Sequence, residues 1–146
     1  KSMLTSKVMV AYDGSTYSKV ALEWALALQE RMGVTVDVVT VLPPIGNLFM
    51  YADYPMDMTS VRESQKEGMV KSMELLRAEC ADKGRKVETH ILEGHIVDTL
   101  IEHSVASGAE LIVSGTRGAG GFEGLLIGSV AQKLVAYSKV PVLVVK

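Results

Sequence analysis

Two short stretches of the chain carry residues whose types and spacing could hold a ligand. The longer runs from Ser114 to Ser129 and places six of the chain's 13 glycines (Gly115, Gly118, Gly120, Gly121, Gly124 and Gly128) between an apolar run and a helical pattern. Glycine permits positive φ and close backbone approach, and the first turn of a helix exposes N–H groups that favour negative charge. A glycine-rich strand-to-helix turn therefore suits phosphate. The shorter stretch, Asp13-Gly14-Ser15, closes the first apolar run and offers a carboxylate at a helix start.

The elements that must position these residues follow from hydrophobic periodicity. Lys7 to Tyr12 reads as a buried strand ended by the Asp13 turn. Ala21, Trp24, Ala25, Leu28 and Met32 then recur at helical spacing, with Ser15 or Thr16 as N-cap and Gly33 as the stop. Val34 to Leu42 is rich in β-branched residues and ends at Pro43-Pro44, which gives a second strand. Between Ile45 and Met58 there is no clean period, yet Phe49, Met50, Tyr51, Tyr54, Met56 and Met58 are too apolar for a solvated linker. That segment is expected to fold back as a lid over the ligand, a partner surface or local packing.

Ser60 and Glu63 have capping-box spacing, and Met69, Met73, Leu76 and Cys80 form the inward stripe of a long second helix that stops at Gly84. Lys86 to Glu93 reads as strand three, and His95 to Ser107 as helix three with Val97, Leu100, Ile101 and Val105 inward. Leu111 to Ser114 is strand four, Val130 to Val135 is helical, and Pro141 to Lys146 is a last strand. The alternation βαβαβαβαβ, with continuous apolar strands, predicts an α/β fold in which helices cover both faces of a parallel sheet. Ligands of such sheets sit beyond the C-terminal strand ends where the winding reverses. With strands one and four adjacent there, Asp13 and the glycine turn face one crevice.

Known phosphate motifs fit poorly. No Gly-Lys-Ser/Thr occurs, so the turn is not a Walker A loop, and a dinucleotide fingerprint would follow the first strand rather than the fourth. The first turn lacks the Ser-Gly-Gly-x-Asp-Ser loop of adenylating enzymes, and Asp13 stands without the paired acid of a phosphorelay receiver. Plainer roles stand beside the functional ones: a merely flexible turn for the glycines, a helix cap for Asp13 and a solvated surface position for Arg117. His90, His95 and His103 lack metal-ligand spacing on one face, which predicts surface or capping roles. Cys80 is expected to be a buried small apolar residue.

Composition narrows the class further. A chain of 146 residues and 15.7 kDa is most simply one domain spanning 1–146. A net charge of −2 without a Lys/Arg cluster argues against nucleic acid or an anionic membrane as partner, so a phosphate ligand should be small. The single cysteine excludes an internal disulfide and a CxxC pair, and no signal peptide or membrane span is visible. The expectation is a soluble, cytoplasmic protein.

The spacing Gly115-x2-Gly118-x9-Gly128-Ser129, together with Val10-Ala11-Tyr12-Asp13-Gly14-Ser15 and the closing Val140-Pro141-Val142-Leu143-Val144-Val145, resembles the universal stress protein family. The resemblance covers essentially the whole chain and matches the family's ATP-binding subgroup. It implies a single-domain open five-stranded parallel sheet of order 3-2-1-4-5. It also implies ATP, with Mg²⁺ or Mn²⁺ bound through the phosphates.

Carried over residue by residue, Asp13 would contact the ribose or adenine edge, and the Ala11 and Val41 backbones would lie against the base. Gly115 and Gly118 would admit ribose and phosphates, and Arg117 would bring a cation near them. Gly128, Ser129 and Val130 would supply N–H groups and a hydroxyl to the phosphates. Tyr12, Ser114 and His95 depart from the family's usual pattern around the adenine pocket.

No general base or activated nucleophile stands beside the phosphate turn, so the reading is a nucleotide-dependent binding or signalling module with at most slow hydrolysis or self-phosphorylation. The alternatives are a metal-dependent ATPase or nucleotidyl-transfer enzyme completed by a partner, and an interaction protein with a vestigial pocket. The last strand is apolar on both faces, Val142 and Val144 on one and Leu143 and Val145 on the other. An apolar edge invites pairing, so a homodimer through Val140 to Lys146 is expected, as the family commonly forms.

Overall fold

The computed structural model describes residues 6–44, 58–117 and 126–146. Nine elements alternate along them: β1 (Lys7–Ala11), α1 (Thr16–Met32), β2 (Thr35–Leu42), α2 (Met58–Asp82), β3 (Val87–Glu93), α3 (Ile96–Ala106), β4 (Leu111–Gly115), α4 (Ser129–Tyr137) and β5 (Val142–Val145). The strands form one parallel sheet in the order β3-β2-β1-β4-β5, as expected. Gly118 and nearly all of the apolar segment from Phe49 to Met58 lie outside the described residues; Met58 itself opens α2 and is buried.

Side chains alternate across a strand, so each central strand feeds two cores. Val8, Val10, Val36, Val38 and Val113 pack on the side of α1 and α2, while Met9, Val39 and Ile112 pack on the side of α3 and α4 with Leu100 and Leu134. Burial on both faces is why β1 and β4 read as continuous apolar runs.

Local chemistry sets the helix ends. The Ser15 hydroxyl caps α1 by accepting the Ser18 N–H at 3.2 Å, and Gly33 ends the helix in the left-handed region at φ 72°. The buried stripe of α1 is Ser18, Ala21, Leu22, Ala25 and Leu26. Trp24 and Met32 instead lie on its flank, 52% and 51% exposed, because the close approach of α1 to β1 and β4 selects small residues at the contact. Val105 is likewise 52% exposed, and the inward position of that turn goes to Ser104, whose hydroxyl donates to the Ile101 carbonyl. Helix α2 begins at Met58, so Ser60 lies inside it rather than at its cap. Met73 and Cys80 are buried as the stripe predicts. Arg62 donates to the Pro43 carbonyl and lies 3.9 Å from Glu93, which also pairs with Lys66 at 2.9 Å. These contacts tie the start of α2 to the ends of β2 and β3. Among the described residues no helix is long and apolar enough to cross a membrane.

Candidate functional site

The sheet reverses its winding between β1 and β4, whose Val10 and Val113 are partners in register. Both predicted stretches emerge from the C-terminal ends of these two strands. On the β1 side, Tyr12 N–H donates to the Val39 carbonyl at 2.9 Å and the Thr40 hydroxyl donates to the Tyr12 carbonyl at 2.7 Å. The chain is thereby held against β2 as it turns. Asp13 is exposed, and its Oδ1 accepts the Ser15 N–H at 2.9 Å. Ser15, not Asp13, is the helix cap, so Asp13 orders the turn that precedes α1. Burial, followed by the nearby Glu79 and Asp13 carboxylates, pushes the Tyr12 phenol above its ordinary pKa. Ala11 and Val41 are half-buried and turn their side chains toward the α3 and α4 face.

On the β4 side the fit is tight. A Cβ on Gly115 would lie 2.8 Å from the carbonyl carbon, oxygen and Cβ of Tyr17, so glycine is required here by the approach of β4 to the first turn of α1. Thr116 is buried and anchors the glycine turn at both ends: its N–H donates to the Val145 carbonyl at 3.0 Å, and its carbonyl accepts the Gly128 N–H at 2.5 Å. The Arg117 guanidinium lies over the Tyr17 ring, 4.5 Å from its centroid. Gly128 is the N-cap of α4 at φ −81° and ψ 165°, with no side-chain capping bond and no acidic residue in the first turn. Ser129 is exposed and Val130 half-buried at that helix start.

The structure therefore gathers Asp13, Gly115, Arg117, Gly128, Ser129 and Val130 around the ends of β1 and β4, with Ala11 and Val41 toward β2. An uncapped helix start with its positive dipole end and an exposed hydroxyl is chemically an anion seat. Tyr17 and Thr40 shape this region without having been singled out by motif. Thr40 and Thr116 hold the turns at strand ends, and Tyr17 supplies both the wall against Gly115 and the ring beneath Arg117.

The histidines correct a sequence expectation. Asp37 of β2 is fully buried, and its two oxygens meet His90 Nδ1 of β3 at 2.6 Å and His103 Nε2 of α3 at 2.9 Å. Two of the three histidines thus converge with one carboxylate. Linear spacing hid this because the three residues come from three different elements.

With the fold and site in view, comparison with known proteins defines the class. A family model described as the universal stress protein family matches residues 5–146. Universal stress protein YxiE of Bacillus subtilis (strain 168) is 30% identical over 149 residues, spanning 97% of this chain and 99% of that protein. Among solved structures, the universal stress protein UspA from Lactobacillus plantarum superposes with a TM-score of 0.82 at 16% identity, covering 100% of both chains. A universal stress protein family member from Arabidopsis thaliana with AMP bound superposes with a TM-score of 0.68 at 24% identity, covering 97% of this chain and 91% of that one. The molecule is a doubly wound α/β protein of the universal stress type. The chain belongs to the universal stress protein family, whose members act in the stress response.

Proposed function

We propose that this protein binds ATP at the β1/β4 reversal and acts as a nucleotide-dependent binding or signalling module. The observation that carries the reading is the start of α4: a glycine N-cap without a side-chain cap, fixed to Thr116, at the end of a glycine-rich turn. Its N–H groups and the Ser129 hydroxyl receive the phosphates, and Arg117 contributes positive charge beside them. Asp13 accepts from the ribose or the adenine edge, and the backbones of Ala11 and Val41 flank the base. Gly118 admits the phosphate chain within the turn. Mg²⁺ or Mn²⁺ binds through the phosphates. The Arabidopsis relative with AMP and a universal stress protein solved in complex with cAMP support an adenine nucleotide as the ligand class.

Two copies pair through the edge strand, residues 140–146. Val142, Leu143 and Val144 are half-buried in a β5 that pairs with β4 on its inner side.

Calorimetric titration of ATP with Mg²⁺ into the wild type and Asp13→Ala tests this. Binding to the wild type, weakened about tenfold or more in the variant, supports it, since a charge-assisted hydrogen bond is worth roughly 1.5–3 kcal/mol. No binding to nucleotide-free wild type overturns it. Metal-dependent ATP turnover well above background, abolished by Asp13→Ala, would favour the enzyme reading instead.

A further inference from the structure

Away from the nucleotide crevice, Asp37, His90 and His103 place one carboxylate and two imidazole nitrogens within 4.8 Å of one another. Asp37 lies four residues before Val41 on β2, about 13 Å at the rise of a parallel strand, so the cluster sits toward the opposite end of the sheet. Asp37 is 0% exposed. A carboxylate excluded from water is costly unless a compensating charge and hydrogen bonds accompany it.

The three ligand atoms already converge, through hydrogen bonds to the carboxylate that a bound ion would replace. His90 Nδ1 and His103 Nε2 address different oxygens of the same carboxylate, their rings 4.8 Å apart and tilted by 54°. The His90 side chain is 41% exposed and that of His103 15%, so one side of the cluster is open to solvent and can supply a water as further ligand. Charged pairs near this end, Lys7 with Glu88 at 3.4 Å and Arg85 with Glu23 at 3.2 Å, are satisfied between their own members.

We propose that Asp37, His90 and His103 form a divalent transition-metal site, with Zn²⁺ the fitting ion. Two imidazoles and a carboxylate match its ligand preference, and a solvent position completes four-coordination. The ion balances the buried carboxylate and cross-links β2, the edge strand β3 and α3. Coordination needs His90 Nδ1 and His103 Nε2 free of hydrogen, so on loading those hydrogens pass to the other ring nitrogens or to solvent. The site is independent of the nucleotide reading, because no residue is shared.

The test is titration of Zn²⁺ alone, by calorimetry, into the metal-free 146-residue protein, with Co²⁺ absorption as a second readout. The expected result is one ion per chain with the visible bands of four-coordinate Co²⁺, and a melting temperature raised by roughly 5–10 °C at a free Zn²⁺ of about 100 times Kd. His90→Ala, at a partly exposed edge position, should keep the fold and weaken binding at least about 100-fold, whereas His95→Ala should bind as the wild type. The proposal is overturned if the wild type binds no Zn²⁺ at about 100 µM. It also fails if His90→Ala binds as tightly as the wild type, or if His95→Ala loses binding equally.

Discussion

Gly115→Ala isolates the contact on which both the fold and the proposed site depend. The added methyl group would lie 2.8 Å from Tyr17 backbone atoms, whereas ordinary van der Waals contact begins near 3.4 Å, so β4 and the first turn of α1 must separate by about 0.6 Å. No rotamer change relieves the contact, because carbonyl carbon and oxygen are among the atoms struck. Overpacking of this kind costs roughly 1–3 kcal/mol. For a chain of this size that is a fall in melting temperature of about 2–10 °C. Separation also displaces Tyr17 from beneath Arg117 and shifts the Thr116 anchor of the glycine turn, so ATP affinity should fall with stability. Urea unfolding followed by circular dichroism gives the first quantity and calorimetry the second. A variant within about 0.5 kcal/mol of the wild type would refute the reasoning, since that is the scatter of an innocuous surface change.

Other consequences are as specific. Ser15→Ala removes the cap of α1 and should cost about 1 kcal/mol in urea unfolding, with the nucleotide pocket otherwise in place. Cys80 is buried and burial pushes its thiol above the ordinary pKa, so it should react with an aromatic disulfide reagent at neutral pH only as fast as the protein unfolds. The hydrogen bond from Lys66 holds the Glu93 carboxyl below its usual value of 4.5. The stability of that pair is present above pH about 4.5 and lost as pH falls through the lowered folded value, a small effect at an exposed site. Glu93→Gln should flatten the acid limb of the stability curve. Sedimentation should show about twice 15.7 kDa for the wild type, and Leu143→Arg should shift it to the monomer.

The architecture was legible because its signals are local or nearly so. Valine runs such as Val8 to Val10 and Val36 to Val39 announce strands buried on both faces, and Ser15 and Gly33 mark the ends of a helix. The candidate nucleotide residues were legible as a motif, and the structure supplied what the motif lacks: the Tyr17 wall behind Gly115 and the double anchor at Thr116. The exposed Trp24 and Val105 were misplaced because periodicity defines a helical face but not its centre, and packing density then chooses Ala21, Ala25 and Ser104 for the contact. Asp37 was the one available warning of the histidine cluster. A carboxylate in the run Val36-Asp37-Val38-Val39 occupies a position that burial should deny it, so a partner of opposite character had to exist. Parallel pairing sets His90 opposite Val39 and α3 adds His103, and no reading of linear spacing supplies either step.

The central claim is that the start of α4 receives the phosphates, and Ser129→Asp tests it most directly. An aspartate in the first turn favours the helix by roughly 0.3–1 kcal/mol, so the fold is retained. Placed about 4 Å from a phosphate oxygen, it opposes binding by between ~1 kcal/mol in water and ~4 kcal/mol at an effective protein dielectric. Calorimetry on the wild type and the variant should therefore show ATP affinity reduced about fivefold or more, while adenosine, which has no phosphate, binds both alike. Equal ATP affinity in the two proteins would contradict the account and move the phosphates away from this helix.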